Sequence, residues 1–237
     1  MTVLVLFDID GTLLLANGSG RRCVHQMMRD VFGVTGAEDH PFDGKTDPQI
    51  VRELGTMAGI SEDTIQERMA AALDRYYEHL EADITAAPHS VASLPGVHAL
   101  IDALEAHEDV MLGVLTGNIE AGASLKLRTI NLDPERFAVG AYGSDAATRP
   151  ALPAIAQRRA AALLGAPLPG SRLVIIGDTP HDLTCGRDIG AHAIGVETGR
   201  FRAADLQPYE PLAVFADLAD TDAVVDVIVS VLPRRAA

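Results

Sequence analysis

The chain has 237 residues, 48% of them hydrophobic, so it can bury one large core or two small ones. Its 19 basic and 33 acidic residues leave a net charge of −14, which disfavours nucleic-acid binding, and no apolar run reaches the roughly 18 residues of a membrane span. Two cysteines, Cys23 and Cys185, offer no metal spacing or disulfide framework, and 4% aromatics without Trp exclude a stacking platform for sugars or bases.

In chain order, residues 3–9 read as a buried strand, apolar up to Asp8. No basic start precedes it, so a secretory signal is not expected and a cytoplasmic protein is. Residues 16–90 then show helices and no good strand. The first helix covers 21–32. The second covers 48–57, with Asp47 as its N-cap and Pro48 in its first turn. The third covers 61–81, capped by Ser61, with Glu62 and Asp63 in its first turn and a stripe of Ile65, Met69, Leu73, Tyr77 and Leu80.

The sheet pattern resumes near Leu94-Pro95-Gly96-Val97. Strands are expected at 110–115, 137–142, 173–176 and 193–196. Helices are expected at 97–107, 120–130, 154–164 and 222–232. This alternation predicts an α/β fold with a Rossmann-like parallel sheet flanked by helices. Residues 1–15 and 91–237 would form the core, and 16–90 an all-helical cap over the crevice at the strand ends. The tail 234–237 is expected to be disordered.

Chemistry concentrates at the strand ends. Asp8 and Asp10 are two apart, so on an extended strand end they face the same way. Two such carboxylates need a cation or a shared proton, and a hard ion such as Mg²⁺ suits oxygen ligands. Gly11 permits a sharp turn, and its amide can meet an anion. A second acidic group is Gly177-Asp178-Thr179-Pro180-His181-Asp182. If its strand neighbours the first, four carboxylates converge, as a metal site requires; taken alone the cluster also reads as helix capping. His181 is expected on a solvated helix face. Thr116-Gly117-Asn118 follows the second strand and either cradles a phosphate at a helix start or simply caps that helix. Arg149 either brings positive charge to a phosphate or is a surface residue.

Taken together, these pieces resemble the phosphatase branch of the haloacid dehalogenase superfamily, with its helical cap in the first insertion position. Asp8-x-Asp10-Gly11-Thr12 is similar to the first motif, Thr116 to the second, and Gly177-Asp178-x-x-x-Asp182 to the fourth. The third motif usually carries Lys; here Arg149 stands in its place. Lys126, the rival cation, is expected to face solvent. The resemblance implies that Asp8 is the nucleophile and Asp10 the general acid and base. It implies Mg²⁺ held by Asp8, the Asp10 carbonyl and Asp178, with Asp182 orienting that shell. It assigns the phosphoryl oxygens to Gly11, Thr12, Thr116, Gly117, Asn118 and Arg149. The implied substrate is a small phosphorylated metabolite, with Lys45 of the cap reading the leaving group. An Asp at position 10 favours phosphate esters over halides or phosphonates. A phosphomutase shares the same residues, and a silent phospho-ligand sensor would not need Asp10.

Overall fold

The Val-, Leu- and Ile-rich runs become neighbouring parallel strands because helices cover both faces of the sheet they form. The computed structural model describes residues 2–232, so the tail at 234–237 lies outside the described residues. Strand β1 (Val3–Phe7) leads through β2 (Leu14–Leu15) into helices α1 (Ser19–Met27), α2 (Asp47–Met57) and α3 (Glu62–Ala86). The chain returns through β3 (Ala92–Ser93) and α4 (Val97–Glu105) to β4 (Val110–Leu115), α5 (Glu120–Thr129) and β5 (Val139–Ala141). It then passes α6 (Leu152–Leu164), β6 (Leu173–Gly177), α7 (Pro180–Cys185) and β7 (His192–Val196). Helix α8 (Ala203–Leu206), strand β8 (Ala213–Phe215) and helix α9 (Thr221–Val229) complete it.

The sheet order is β5-β4-β1-β6-β7-β8, all parallel. Strand β1 lies between β4 and β6 and is entirely buried. Its alternation divides the core: Val3, Val5 and Phe7 pack on one face, while Leu4 and Leu6 meet Leu152, Ala156 and Ala160 of α6 on the other. Among the described residues no helix is long and apolar enough to cross a membrane. Cys23 and Cys185 are both free and buried.

Several elements differ from the sequence expectation. The first strand ends at Phe7 instead of residue 9, although the Asp8 amide still donates to Ile176 O at 2.9 Å. The strand expected at 137–142 keeps only its middle three residues. Strand β8 was not expected; it has three half-buried residues and sits at the sheet edge, where no long apolar run is needed. In α3 the buried row is Ile65, Ala72, Tyr76, Leu80 and Ile84. Met69, Leu73 and Tyr77 flank it half-buried, because α1 comes close at Gly20, against the Tyr76 hydroxyl.

The antiparallel pair β2–β3 forms the stem of the helical insert, with Leu14 opposite Ser93. A second attachment comes from the segment before α2. Thr46, not Asp47, caps α2, accepting from the Gln49 amide. Its own hydroxyl donates to Ala147 O at 2.8 Å. Asp47 turns away from its helix instead: its amide donates to Gly117 O, and its carboxylate accepts from the Ile119 amide at the start of α5, both at 2.8 Å. The contact is so close that a Cβ on Gly117 would lie 1.9 Å from Lys45 O.

Burial pushes the Asp47 carboxyl up from its ordinary 3.8 to about 6, against the pull of Lys126 and the Ile119 amide. A carboxyl whose pKa rises on folding stabilises the fold fully below its unfolded pKa. That contribution is lost as pH climbs through the folded value. Asp47→Asn keeps an acceptor for Ile119 and removes the charge. Thermal melts of both proteins from pH 4 to pH 7 should therefore diverge across that window. The variant should gain up to about 3 kcal/mol relative to the parent at pH 7. A difference that stays flat with pH would contradict a buried anion at this latch.

Candidate active site

The site is built where two adjacent strands end. Phe7 of β1 pairs with Ile176 of β6, so Asp8 and Asp178 emerge side by side. Asp182 joins them from the first turn of α7, and all three offer oxygens within 4.8 Å of one another. All three are buried. Burial raises Asp8 to about 7, with Asp182 adding to the rise and Arg149 opposing it. Burial, then the charges of Asp182 and Asp8, raise Asp178 to about 9.

Arg149 answers this negative charge. It is buried, and its Nη2 donates to Asp8 Oδ1 at 2.9 Å, to Leu115 O at 3.3 Å and to Asp182 Oδ1. It is not the surface residue that the sequence also allowed: it opens a short 3₁₀ turn, Arg149–Ala151, after the extended Thr148, and turns inward. The other oxygen of Asp182 accepts from the Thr179 amide at 3.0 Å and hydroxyl at 2.7 Å, completing a capping box. The capping reading of this cluster applies, with Thr179 as the cap and Asp182 as its partner, and Asp182 also holds Arg149; of the four carboxylates expected to converge, three do.

Asp178 is different. Its Oδ1 is buried and has no hydrogen-bond partner among the described residues. A Cβ on Gly11 or Gly199 would come within 2.5 Å or 1.7 Å of its carboxylate. An orphaned carboxylate oxygen beside two further acids fits a hard divalent cation. Asp8 and Asp178 can supply ligand oxygens; Asp182, with both oxygens engaged, can only steady them.

Asp10 does not join the three. Its side chain, 42% exposed, turns to Lys126, whose Nζ donates to its two oxygens at 2.9 and 2.7 Å. Asn118 Nδ2 donates to Asp10 Oδ2 at 2.7 Å and to Thr116 Oγ1 at 2.8 Å, while Lys126 Nζ also donates to Asn118 Oδ1 at 2.7 Å. The expectation that Lys126 faces solvent is overturned: its side chain is 3% exposed. Position 126 lies on the inner face of α5 with Gly122 and Ala123. Helical side chains lean toward the N-terminus, so the lysine runs back over these small residues to the strand end.

A cavity of about 490 Å³ opens above these groups, between the helical insert and the sheet. Gly11, Thr116, Gly117, Asn118 and Arg149 line it, and Lys45 faces it from the insert. Among the described residues the Gly117 amide has no acceptor, while those of Gly11 and Thr12 are taken by Leu14 O and Ile9 O. Thr12 is fully buried, its hydroxyl unpaired. Lys45 Nζ pairs with Glu53 at 2.5 Å and lies 3.2 Å from His40 Nε2. His181 is exposed, as expected, and leans on Gly44.

The sequence reading overlooked the loop after β7, where the Thr198 hydroxyl donates to Gly11 O and Gly199 presses on Asp178. Thr198-Gly199 repeats, at another strand end, the Thr-Gly pair of Thr116-Gly117, and that repetition was the available signal. Arg21 and Tyr76, which also line the cavity, looked like ordinary helix residues.

The family model described as haloacid dehalogenase-like hydrolase matches residues 5–187, which include the residues at the ends of β1, β4 and β6 and Arg149 but not Thr198-Gly199. The chain belongs to that family. No curated protein matches it. Among solved structures, this haloacid dehalogenase-like hydrolase is similar to a hydrolase from Pseudomonas syringae, with 21% identity and a TM-score of 0.69 over 96% of this chain and 99% of that one. It is also similar to a protein named as a predicted phosphoglycolate phosphatase from Haemophilus somnus (18%, 0.67, 94% and 98%). A third, named as a beta-phosphoglucomutase, is from Bacteroides vulgatus (18%, 0.70, 98% and 91%). At these identities the likeness concerns the fold.

Replacing Arg149 by Met would leave Asp8 and Asp182 buried without their cation. Urea unfolding with a chelator present should show a loss of about 3–5 kcal/mol. Arg149→Lys should recover part of it. A loss below about 1 kcal/mol for Arg149→Met would mean that the guanidinium does not balance this cluster.

Proposed function

We propose that this hydrolase is a Mg²⁺-dependent phosphatase that cleaves a small phosphomonoester through an aspartyl-phosphate on Asp8. The observation that carries the reading is the pairing of two unlike carboxylates at one strand end. Asp8 is buried against Arg149 and Asp178, whereas Asp10 is half-exposed in the same cavity. One suits attack on phosphorus in a dry, charge-balanced site; the other suits proton transfer at its edge.

In this reading Asp8 Oδ attacks phosphorus, and the bond to the leaving oxygen breaks. Asp10 enters this step protonated on Oδ1, gives that proton to the leaving oxygen, and as the carboxylate takes one from the water that cleaves the acyl phosphate. Arg149 and the free Gly117 amide hold phosphoryl oxygens, with Thr116 and Asn118 shaping the loop around them. Lys126 and Asn118 hold the Asp10 carboxylate in place. Asp8 and Asp178 would hold the Mg²⁺, with Asp182 steadying the cluster through Arg149. The ion would supply positive charge for the phosphoryl oxygens. Residues 16–90 act as a cap that excludes water, and Lys45, within its Glu53–His40 network, reads the leaving group.

Phosphate release from p-nitrophenyl phosphate and a panel of phosphorylated sugars, acids and nucleotides tests this. Activity should require Mg²⁺ and vanish in Asp8→Asn. Release that survives a chelator, or that substitution, would overturn it. A phosphorylated isomer in place of free phosphate would indicate a mutase using the same residues. Lys126→Met should lower kcat/KM by roughly 10- to 100-fold, the usual effect of losing a charged hydrogen bond. An unchanged value would leave Lys126 without a part in holding Asp10.

A further inference from the structure

We infer that the cavity has a second anion-binding subsite centred on Arg21, and that the substrate is a phosphomonoester whose alcohol part carries another anionic group, a carboxylate or a second phosphate. This rests on the phosphatase reading and adds the chemical class of the leaving group.

Five cationic side chains line the cavity among the described residues: Arg21, Lys45, Lys126, Arg149 and Arg200. Four already face carboxylates. Lys126 holds Asp10, Arg149 bridges Asp8 and Asp182, Lys45 pairs with Glu53, and Arg200 lies 3.4 Å from Asp43. Arg21 faces none. Its Nη1 donates to two backbone carbonyls, Glu38 O and His40 O, each at 2.9 Å. Its guanidinium lies 4.1 Å from the centroid of the Phe42 ring. Among the described residues, Nε and Nη2 donate to no protein acceptor.

These contacts fix the plane of the guanidinium without neutralising it. Carbonyls and an aromatic face orient the charge, and the two remaining N–H edges stay available. The next residue, Arg22, pairs with Asp83 at 2.8 Å. In a chain with 33 acidic residues and a net charge of −14, a half-buried cavity arginine without a counter-ion is a position where a ligand can supply one. A guanidinium fork takes carboxylate or phosphate oxygens two at a time. The cavity, at about 490 Å³, has the size of a small-metabolite site.

Arg21 also ties α1 to the 38–40 segment, so loss of activity alone would not separate binding from support. The measured quantity is therefore a ratio within one protein, from which the folded fraction cancels. It is kcat/KM for a doubly anionic phosphomonoester over that for its matched singly anionic partner. One pair tests carboxylate, phosphoglycolate against 2-hydroxyethyl phosphate. The other tests phosphate, fructose 1,6-bisphosphate against fructose 1-phosphate. The wild-type ratio should be about tenfold or more in one pair, which identifies the group. Arg21→Gln should bring that ratio near one, and Arg21→Lys should keep part of it. Wild-type ratios near one in both pairs, or a ratio that Arg21→Gln leaves intact, would overturn the subsite while leaving the phosphatase reading in place. No release from any substrate, p-nitrophenyl phosphate included, would overturn that reading and the subsite with it.

Discussion

Three buried carboxylates facing one guanidinium set the terms for this molecule. Asp8, Asp178 and Asp182 are brought together because β1 and β6 are adjacent and end at the same level. Arg149 touches Asp8 and Asp182 but leaves an oxygen of Asp178 without a partner. Such a cluster is costly to bury, and Arg149 offsets only part of its charge. The remainder can be met by a cation, by protons or by the field of a bound ligand. The raised pKa values of Asp8 and Asp178 express the same imbalance.

The helical insert is placed to act on that imbalance. Its stem, β2–β3, lies a few residues from Asp10, and its second attachment puts Asp47 and Thr46 on the loops that carry Thr116 and Arg149. Attachment and site thus share residues: Gly117 offers its carbonyl to the Asp47 amide, while its own amide meets no acceptor among the described residues beside the cavity. A change in how the insert sits would be felt at the proposed phosphate-binding loop. Lys45 and Arg21 line the cavity between them from the insert, and Arg149 and the strand ends line it from the sheet.

Sequence reading recovered the parts that depend on local pattern. The apolar runs located β4 and β6 to within a residue and β1 to within two, and the carboxylates after β1 and β6 pointed to the cluster found there. Thr179, Pro180 and Asp182 announced the start of α7 by their capping chemistry. What escaped depends on contacts across the fold. Asp47 looks like an N-cap because its spacing to Pro48 suits one, yet its partner is 72 residues away. Lys126 carries a charge that favours solvent, and only the packing of α5 shows that it is turned inward. Strand β8 lies within a short apolar run, 212–216, that the sequence reading passed over. Arg21 differs from Arg22 in nothing but its surroundings.

The central claim is that Asp8, not its neighbour, takes the phosphoryl group. Rapid acid quench of the working enzyme followed by borohydride reduction would convert an acyl phosphate to homoserine, which peptide mass spectrometry can locate. The account predicts homoserine at position 8 and an unmodified Asp10. Homoserine at position 10, or none at either position while phosphate is being released, would contradict it.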